Sequence, residues 1–142
     1  MHSAIMTFEE IPARLAYQAW RLRQDVFVVE QECIYPDLDG RDLESGTRHL
    51  LLIDDQQLLG TLRILDDGAV WRIGRVALTK SARGRGLADV MIIAALGATT
   101  DRDVVLDAQS PLASWYRSHG FEVVGDEFIE DDIPHLPMLL SR

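Results

Sequence analysis

The sequence has a single cysteine, no long apolar run and no excess of basic residues. Because Cys33 is alone among 142 residues, an internal disulfide is excluded, and nothing near it in sequence suits a zinc site or a stabilised thiolate. No run approaches the roughly 18 consecutive apolar residues of a membrane span, and residues 1–10 lack the pattern of a secretory signal. We therefore expect a cytoplasmic protein with no membrane partner and no metal.

Charge and length narrow the class of protein further. The chain has 14 Lys and Arg against 23 Asp and Glu, a formal net charge of −9, whereas nucleic acids and anionic membranes are bound by basic faces. No nucleic-acid partner is therefore expected. With 47% hydrophobic and 26% charged residues and no low-complexity segment, residues 1–142 are predicted to form one globular domain.

Hydrophobic periodicity predicts a mixed order of strands and helices. Strand-like runs cover 3–8, 47–53, 58–65, 70–78, 103–108, 121–125 and 136–140, and helical spacing covers 12–28, 87–96 and 112–119. Short polar turns between 47 and 78 are typical of an antiparallel meander, and the helix over 87–96 would make a parallel crossover. This order predicts an α/β (α+β) fold: a mixed, mostly antiparallel sheet of about seven strands, flanked by helices.

A basic, glycine-rich turn, Arg83-Gly84-Arg85-Gly86-Leu87-Ala88, separates the strand-like run 70–78 from the helix-like run 87–96. Free amides at a helix amino terminus, glycines that allow close approach and two arginines together suit a pyrophosphate. A surface turn that is merely rich in arginine and glycine is the alternative. Two nucleotide motifs are excluded, because Asp89 replaces the third glycine of the dinucleotide fingerprint and no Gly-Lys-Ser/Thr ending is present.

Two motifs in this chain resemble those of one enzyme family. Arg83-x-x-Gly86-x-Ala88 is similar to the Q/R-x-x-G-x-G/A motif of the GNAT superfamily of N-acetyltransferases, and Tyr116-Arg117-Ser118-His119-Gly120-Phe121 is similar to its Y-x-x-x-G-F block. Further blocks resemble the ElaA-type branch of that superfamily: Leu22-Arg23, 26–31, 37–40, Ala108-Gln109, 130–135 and Met138. The resemblance covers most of the chain and implies the acyl-CoA N-acyltransferase fold.

The resemblance also implies an extended site for acetyl-CoA. The backbone of Val76, Ala77 and Leu78 would pair with the pantetheine arm, and an amide near Leu78 would donate to the thioester carbonyl. A role within the sheet alone is the alternative for these three residues. Gln109 stands where the family often has asparagine and is a candidate cofactor-binding or positioning residue. The pyrophosphate would lie on Arg83, Gly84, Arg85, Gly86, Leu87 and Ala88.

Tyr116 matches the tyrosine that many family members direct at the coenzyme A sulfur. An unperturbed phenol of pKa about 10 gives its proton to a thiolate whose acid has a pKa of about 8.5 only at a cost of roughly 2 kcal/mol. The resemblance implies that this tyrosine is the general acid for the departing thiolate. Because full proton transfer is costly, a hydrogen bond from the phenol to the thiolate is the preferred interpretation. Packing of the ring beside Trp115 is the alternative.

A general base for the amine is harder to name. Glu130 and His135 are preferred, because they lie in the carboxy-terminal block that resembles the ElaA-type branch. The other candidates are Glu30, Glu32 and His49. Each has a structural alternative, as a solvated carboxylate or a hydrogen-bonding histidine, and the reaction could proceed without a base on a neutral amine.

We therefore predict an enzyme that moves the acetyl group of acetyl-CoA directly to a primary amine, on a small molecule or a peptide, in a ternary complex. A non-catalytic module that binds or senses acyl-CoA is the alternative. The acceptor is expected between the acidic segments 30–46 and 126–135, which suit a cationic amine without identifying it. The oligomeric state is open, with a homodimer as one option.

Overall fold

Eight strands form one sheet in the computed structural model, which describes residues 1–142. Their bounds are β1 His2–Met6, β2 Arg48–Asp54, β3 Gln57–Asp66, β4 Val70–Leu78, β5 Asp103–Gln109, β6 Glu122–Val123, β7 Phe128–Glu130 and β8 Ile133–Leu140. The strand order is β1-β2-β3-β4-β5-β8-β6, with β7 also paired to β8. All pairs are antiparallel except β4 with β5. The predicted mixed, mostly antiparallel sheet is confirmed.

Three α-helices connect these strands: α1 Ala13–Arg23, α2 Leu87–Gly97 and α3 Ala113–Ser118. The first helix was predicted over 12–28, but its α-helical part ends at Arg23 and continues as a π-helical segment, Gln24–Glu30. Such wider turns are frequent at functional sites. Single 3-10 turns cover Phe8–Glu10, Arg41–Leu43, Lys80–Ala82 and Ser110–Leu112. No helix is both long and apolar enough to cross a membrane.

Successive side chains of β2 build two separate cores, because they point to opposite faces of the sheet. Leu50 and Leu52 pack with residues of α2 and α3 on one face. Leu51 and Ile53 pack with residues of α1 on the other face. All four side chains are buried, so the β2 segment reads as a continuous apolar run rather than as alternation. Helices therefore cover both faces of the sheet.

The carboxy-terminal end of the sheet differs from the sequence prediction. Residues 128–130 form an eighth strand, β7, because they pair with β8, although three residues beside an acidic turn are too few to show a period of two. β8 itself begins at Ile133 rather than at 136 and includes two prolines. Pro137 lacks an amide donor, but its carbonyl still accepts from the Val124 amide at 2.9 Å. The strand is therefore longer than its composition indicates.

Buried ion pairs around Arg23 fix the irregular segment 31–46 against the sheet. Arg23 is only 1% exposed, and it donates to Asp37 at 2.9 Å and to Asp42 at 2.7 Å. Arg63 on β3 donates to the same Asp42 at 3.3 Å. Burial disfavours the ionised carboxyl of Asp42, but the two arginines hold its pKa below the usual value. We call these side chains the Arg23 network, and it is what orders a segment that lacks strands.

We expect Arg23→Ala to lower the free energy of unfolding by about 3–5 kcal/mol, because the buried carboxylates of Asp37 and Asp42 would each lose one of their two arginine partners. Urea denaturation measures the change. The control is Arg21→Ala on the same helix, since Arg21 is 72% exposed and lies 3.8 Å from Asp25; its loss should stay within about 0.5 kcal/mol. Similar losses for the two variants would contradict the role assigned to the network.

Candidate active site

The two parallel strands at the centre of the sheet separate towards their carboxyl ends. The pairing of β4 with β5 ends at Arg72 and Val105. Further along β4, a bulge sets two residues, Arg75 and Val76, against one residue of β3, and Arg75 has a φ of +54°. The backbone from Val76 to Leu78 consequently has a strand partner on the β3 side alone.

A cleft of about 920 Å³ occupies the gap between the separated strands. Its walls come from the π-helical segment, the segment that follows it, β4, β5, α3 and the β7–β8 hairpin. Nine predicted site residues line it: Val76, Ala77, Leu78, Arg83, Ala88, Gln109, Tyr116, Glu130 and His135. The other four do not line the cleft: Gly84, Arg85 and Gly86 form the adjoining turn before α2, and Leu87 is the first residue of that helix.

The turn before α2 has room and free donors for an anion. Gly84 has a φ of +72° and Gly86, the residue before the helix, a φ of +73°, a conformation that glycine adopts most easily. No atom lies within 4 Å of a Cβ built on either glycine, and no side chain caps the helix. Arg85 is exposed, whereas Leu87 is buried in the core. A pyrophosphate fits this turn.

Arg83 is paired with the π-helical segment across the cleft. Its Nη1 and Nη2 each donate to a carboxylate oxygen of Glu30 at 2.9 Å, and Nη2 also donates to the Leu78 carbonyl at 3.2 Å. The hydrogen bonds from Arg83 lower the pKa of Glu30. Both side chains are more than one-third exposed, so solvent screens the pair. A phosphate that reaches Arg83 must compete with Glu30 for the same guanidinium.

Tyr116 reaches the cleft from α3 as a buried phenol. The residue is 6% exposed, and its ring packs edge-to-face against Trp115 at 4.7 Å and against Phe121 at 5.9 Å. Burial raises the pKa of the phenol to about 12. No protein group receives a hydrogen bond from the hydroxyl, so a ligand in the cleft can receive one. The packing and the chemical interpretations of this tyrosine are compatible.

Gln109, at the end of β5, pairs with a residue that the sequence did not assign to the site. Its Nε2 donates to Gln31 Oε1 at 3.2 Å, and Gln31 Nε2 donates to Gln109 Oε1 at 3.4 Å. Gln31 directly follows the π-helical segment, so the two amides connect opposite walls of the cleft. The only feature of the sequence that could have assigned Gln31 to the site is its position at the end of the block 26–31, which resembles the ElaA-type branch.

His135 and Glu130 lie on the two strands of the β7–β8 hairpin. His135 is the cross-strand neighbour of Gln109, and its Nδ1 lies 2.7 Å from the Ile133 carbonyl. Because a carbonyl only accepts, that contact makes Nδ1 the donor and assigns the lone pair to Nε2 in the neutral ring. Glu130 is exposed. Both residues have a free group that a substrate could reach.

Two further sequence candidates for a base lie outside the cleft. His49 on β2 is 1% exposed and contacts the Arg23 network, with Nε2 3.8 Å from Asp42 Oδ1. Burial lowers the pKa of its imidazole, and its ring packs on Trp20. Glu32 is exposed and does not line the cleft. His49 is therefore a structural histidine, and Glu30 lines the cleft as the partner of Arg83.

The charges along the cleft are unequally compensated. Arg63, Arg72 and Arg75 all line it, and each forms ion pairs with aspartates at 2.8 Å. Glu130 and Asp131, at the hairpin end, also line it, and neither has an ion-pair partner. The free charge at that end of the cleft is therefore negative.

The chain is similar to proteins of known family. Residues 22–142 match the model of the Acetyltransferase (GNAT) domain. The chain is 45% identical over 136 residues to a UPF0039 protein of Mycobacterium tuberculosis, covering 92% of this chain and 87% of that protein. Its structure matches Escherichia coli ElaA with a TM-score of 0.94 at 34% identity, covering 99% and 100% of the two chains. It matches an acyl-CoA N-acyltransferase from Pseudomonas aeruginosa with a TM-score of 0.92 at 37% identity, covering 99% of each.

The fold and the cleft between β4 and β5 define an acyl-CoA-dependent acyltransferase. Within that class, the chain belongs to the GNAT acetyltransferase family. The predicted resemblance to the ElaA-type branch is confirmed, because 136 residues align with E. coli ElaA at 38% identity, over 91% of this chain and 89% of ElaA. The predictions of fold and of an enzyme are confirmed as well.

We expect Glu30→Gln to tighten coenzyme A binding about two- to fivefold, the range in which exposed ion pairs act. The substitution removes a competitor for Arg83 and a negative charge beside the expected phosphate site. Isothermal titration with coenzyme A measures the change. Glu32→Gln is the control, because it removes an exposed carboxylate outside the cleft and should leave affinity unchanged. Weaker binding by Glu30→Gln would mean instead that Glu30 prepares Arg83 for the phosphate.

Proposed function

We propose that this enzyme transfers the acetyl group of acetyl-CoA directly to a primary amine in a ternary complex. The observation that carries the proposal is the continuity of one cleft, which runs from the turn before α2, along the open edge of β4, to Tyr116 and His135. A cosubstrate with an anionic end and an extended arm suits that shape. Amine and thioester can then meet without a covalent enzyme intermediate.

The pantetheine arm of the cosubstrate binds along the open edge of β4. No strand pairs with Val76 to Leu78 on the β5 side, although the Leu78 carbonyl already accepts from Arg83. Backbone groups that a ligand covers need hydrogen-bond partners. An extended chain with its own amide groups supplies them in the manner of an added strand. An amide near Leu78 then donates to the thioester carbonyl, where negative charge develops as the amine attacks.

Tyr116 serves the departing thiolate as a hydrogen-bond donor. With its pKa near 12 and an ordinary thiol near 8.5, full proton transfer costs about 5 kcal/mol. That cost exceeds the one expected for an unperturbed phenol, so the tyrosine stabilises the thiolate without becoming deprotonated. As the carbon–nitrogen bond forms and the carbon–sulfur bond breaks, the proton that finally reaches sulfur comes from the ammonium group, through water.

His135 is the base that the geometry favours over Glu130. Its Nδ1 is engaged by the Ile133 carbonyl, so the Nε2 lone pair can accept a proton from the amine directly or through water. Glu130 remains available to attract the ammonium form of the acceptor. Because Asp131 adds a second uncompensated carboxylate at this end, a cationic amine is the preferred acceptor class.

Binding and turnover together test the proposal. We expect acetyl-CoA to raise the melting temperature, and a panel of amines, peptides and aminoglycosides to release free coenzyme A thiol. Arg83→Ala and Gly86→Glu should weaken acetyl-CoA binding, since one removes a phosphate donor and the other puts a carboxylate and backbone strain into the turn. No binding at millimolar acetyl-CoA would refute the proposal. Tight binding without thiol release for any acceptor would favour a module that only senses the cosubstrate.

We expect Tyr116→Phe to lower kcat about tenfold or more while leaving KM for acetyl-CoA within about twofold, because the hydroxyl acts mainly on the developing thiolate. Initial rates of thiol release measure both constants. The pH profile gives a second measurement: a phenol with a pKa of about 12 stays protonated, so wild-type kcat should not decline between pH 9 and about 10.5 through tyrosine ionisation. Unchanged kcat in Tyr116→Phe would remove the tyrosine from the mechanism.

A further inference from the structure

Asp89 connects the turn before α2 to the helix that carries Tyr116. It lies in the first turn of α2, three residues after Gly86. Its Oδ1 accepts a hydrogen bond from Trp115 Nε1 at 2.9 Å and lies 2.7 Å from His119 Nε2. Trp115 lies in α3, and His119 directly follows that helix. A single carboxylate oxygen therefore joins α2 to α3, which are about 30 residues apart in sequence.

The helix α3 depends on such external contacts. It has six residues, and isolated helices shorter than about 12 residues are marginal in water. Trp115 and His119 are four residues apart and share one side of the helical turn, with their rings edge-to-face at 5.1 Å. The Trp115 ring packs directly on Tyr116 at 4.7 Å. The group that holds Trp115 and His119 therefore also sets the orientation of the tyrosine.

A role in phosphate binding does not explain why an aspartate stands at position 89. A carboxylate in the first turn of α2 stabilises the helix, but it also adds negative charge where an anion is expected. The carboxylate is half-exposed, and its hydrogen bonds to His119 and Trp115 lower its pKa. Both of its hydrogen bonds are with Trp115 and His119, and none of its atoms lies within 4 Å of a Cβ built on Gly84 or Gly86.

We propose that Asp89 is a positioning residue, which acts through Trp115 and His119 to hold Tyr116 in register with the turn before α2. This inference rests on the proposed function of Tyr116. Asp89 fixes the distance between the turn that would receive the pyrophosphate and the hydroxyl that would receive the thiolate. It works as a hydrogen-bond acceptor, so an amide oxygen at the same position replaces it, whereas a methyl group does not.

A double-mutant cycle on kcat tests this role. We expect Asp89→Ala to lower kcat about five- to tenfold and Asp89→Asn to stay within twofold of wild type. In the Tyr116→Phe background, Asp89→Ala should change kcat less than twofold, because the group that it positions is already gone. An effect of equal size in both backgrounds, or none in the wild-type background, would overturn the inference.

The same cycle separates this inference from the proposed function. If Tyr116→Phe leaves kcat unchanged, the role of the tyrosine fails and the inference fails with it. If Tyr116→Phe lowers kcat while Asp89→Ala acts independently, only the inference fails. Should Asp89→Ala not fold, Trp115→Phe removes the indole donor while keeping a ring, and the same nonadditivity with Tyr116→Phe is expected.

Hydrogen exchange gives a readout that needs no turnover. Amides of residues 113–118 should exchange at least fivefold faster in Asp89→Ala than in wild type, whereas Asp89→Asn should match wild type. The amides of β2, which has a strand on each side and a buried run from Leu50 to Ile53, serve as the internal reference for global stability. Equal acceleration in α3 and β2 would show general destabilisation and would overturn the positioning role.

Discussion

The separation of β4 from β5 is the constraint on which the rest of the site depends. Two parallel strands that begin paired at Val70 and Asp103 stop pairing after Arg72, so the rest of β4 has no hydrogen-bond partner on the β5 side, in the middle of the sheet. Unpartnered buried amides are costly, and most sheets avoid them. The gap is open along the edge of β4, and the crossover helix α2 brings its own free amides to the mouth of the same gap.

The arginines that pair with aspartates order the segment 31–46, which forms part of the wall facing that gap. The segment 31–46 has one 3-10 turn and no strands, so its own backbone cannot hold it in place. Asp37 and Asp39 hold it instead, through Arg23 on α1 and through Arg63 and Arg75 on the sheet. Arg63 holds the pKa of Asp39 at about 2 against the opposing effect of burial. Because the charge of each of these arginines is compensated by an aspartate, it does not determine which acceptor the cleft prefers.

The parts of this protein that could be predicted from the sequence are those encoded by local pattern. Apolar periodicity identified α2 and the meander, and the glycine turn with Tyr116 identified the family. Contacts between distant segments were not predictable. The pairing of Arg83 with Glu30 and of Gln109 with Gln31 joins residues that periodicity treats independently.

The same limit explains the other differences. β7 exists because β8 offers an edge to pair with, and its three residues have no strand pattern of their own. His49 is of a residue type that can act as a base, but it lies among buried ion pairs, because both faces of β2 are covered. In each case the tertiary environment, rather than residue type, decided the outcome.

The π-helical segment and the residue after it make both of the long-range contacts across the cleft. It ends with Glu30, and Gln31 follows directly, so two adjacent residues reach opposite sides of the cleft: one to the turn before α2 and the other to the end of β5. In a regular α-helix, adjacent side chains diverge by about 100°, and a wider π turn alters where each one points. The segment therefore contributes to the cleft wall at two separate points. One segment thus supplies the partner of Arg83, beside the turn before α2, and the partner of Gln109, at the end of β5.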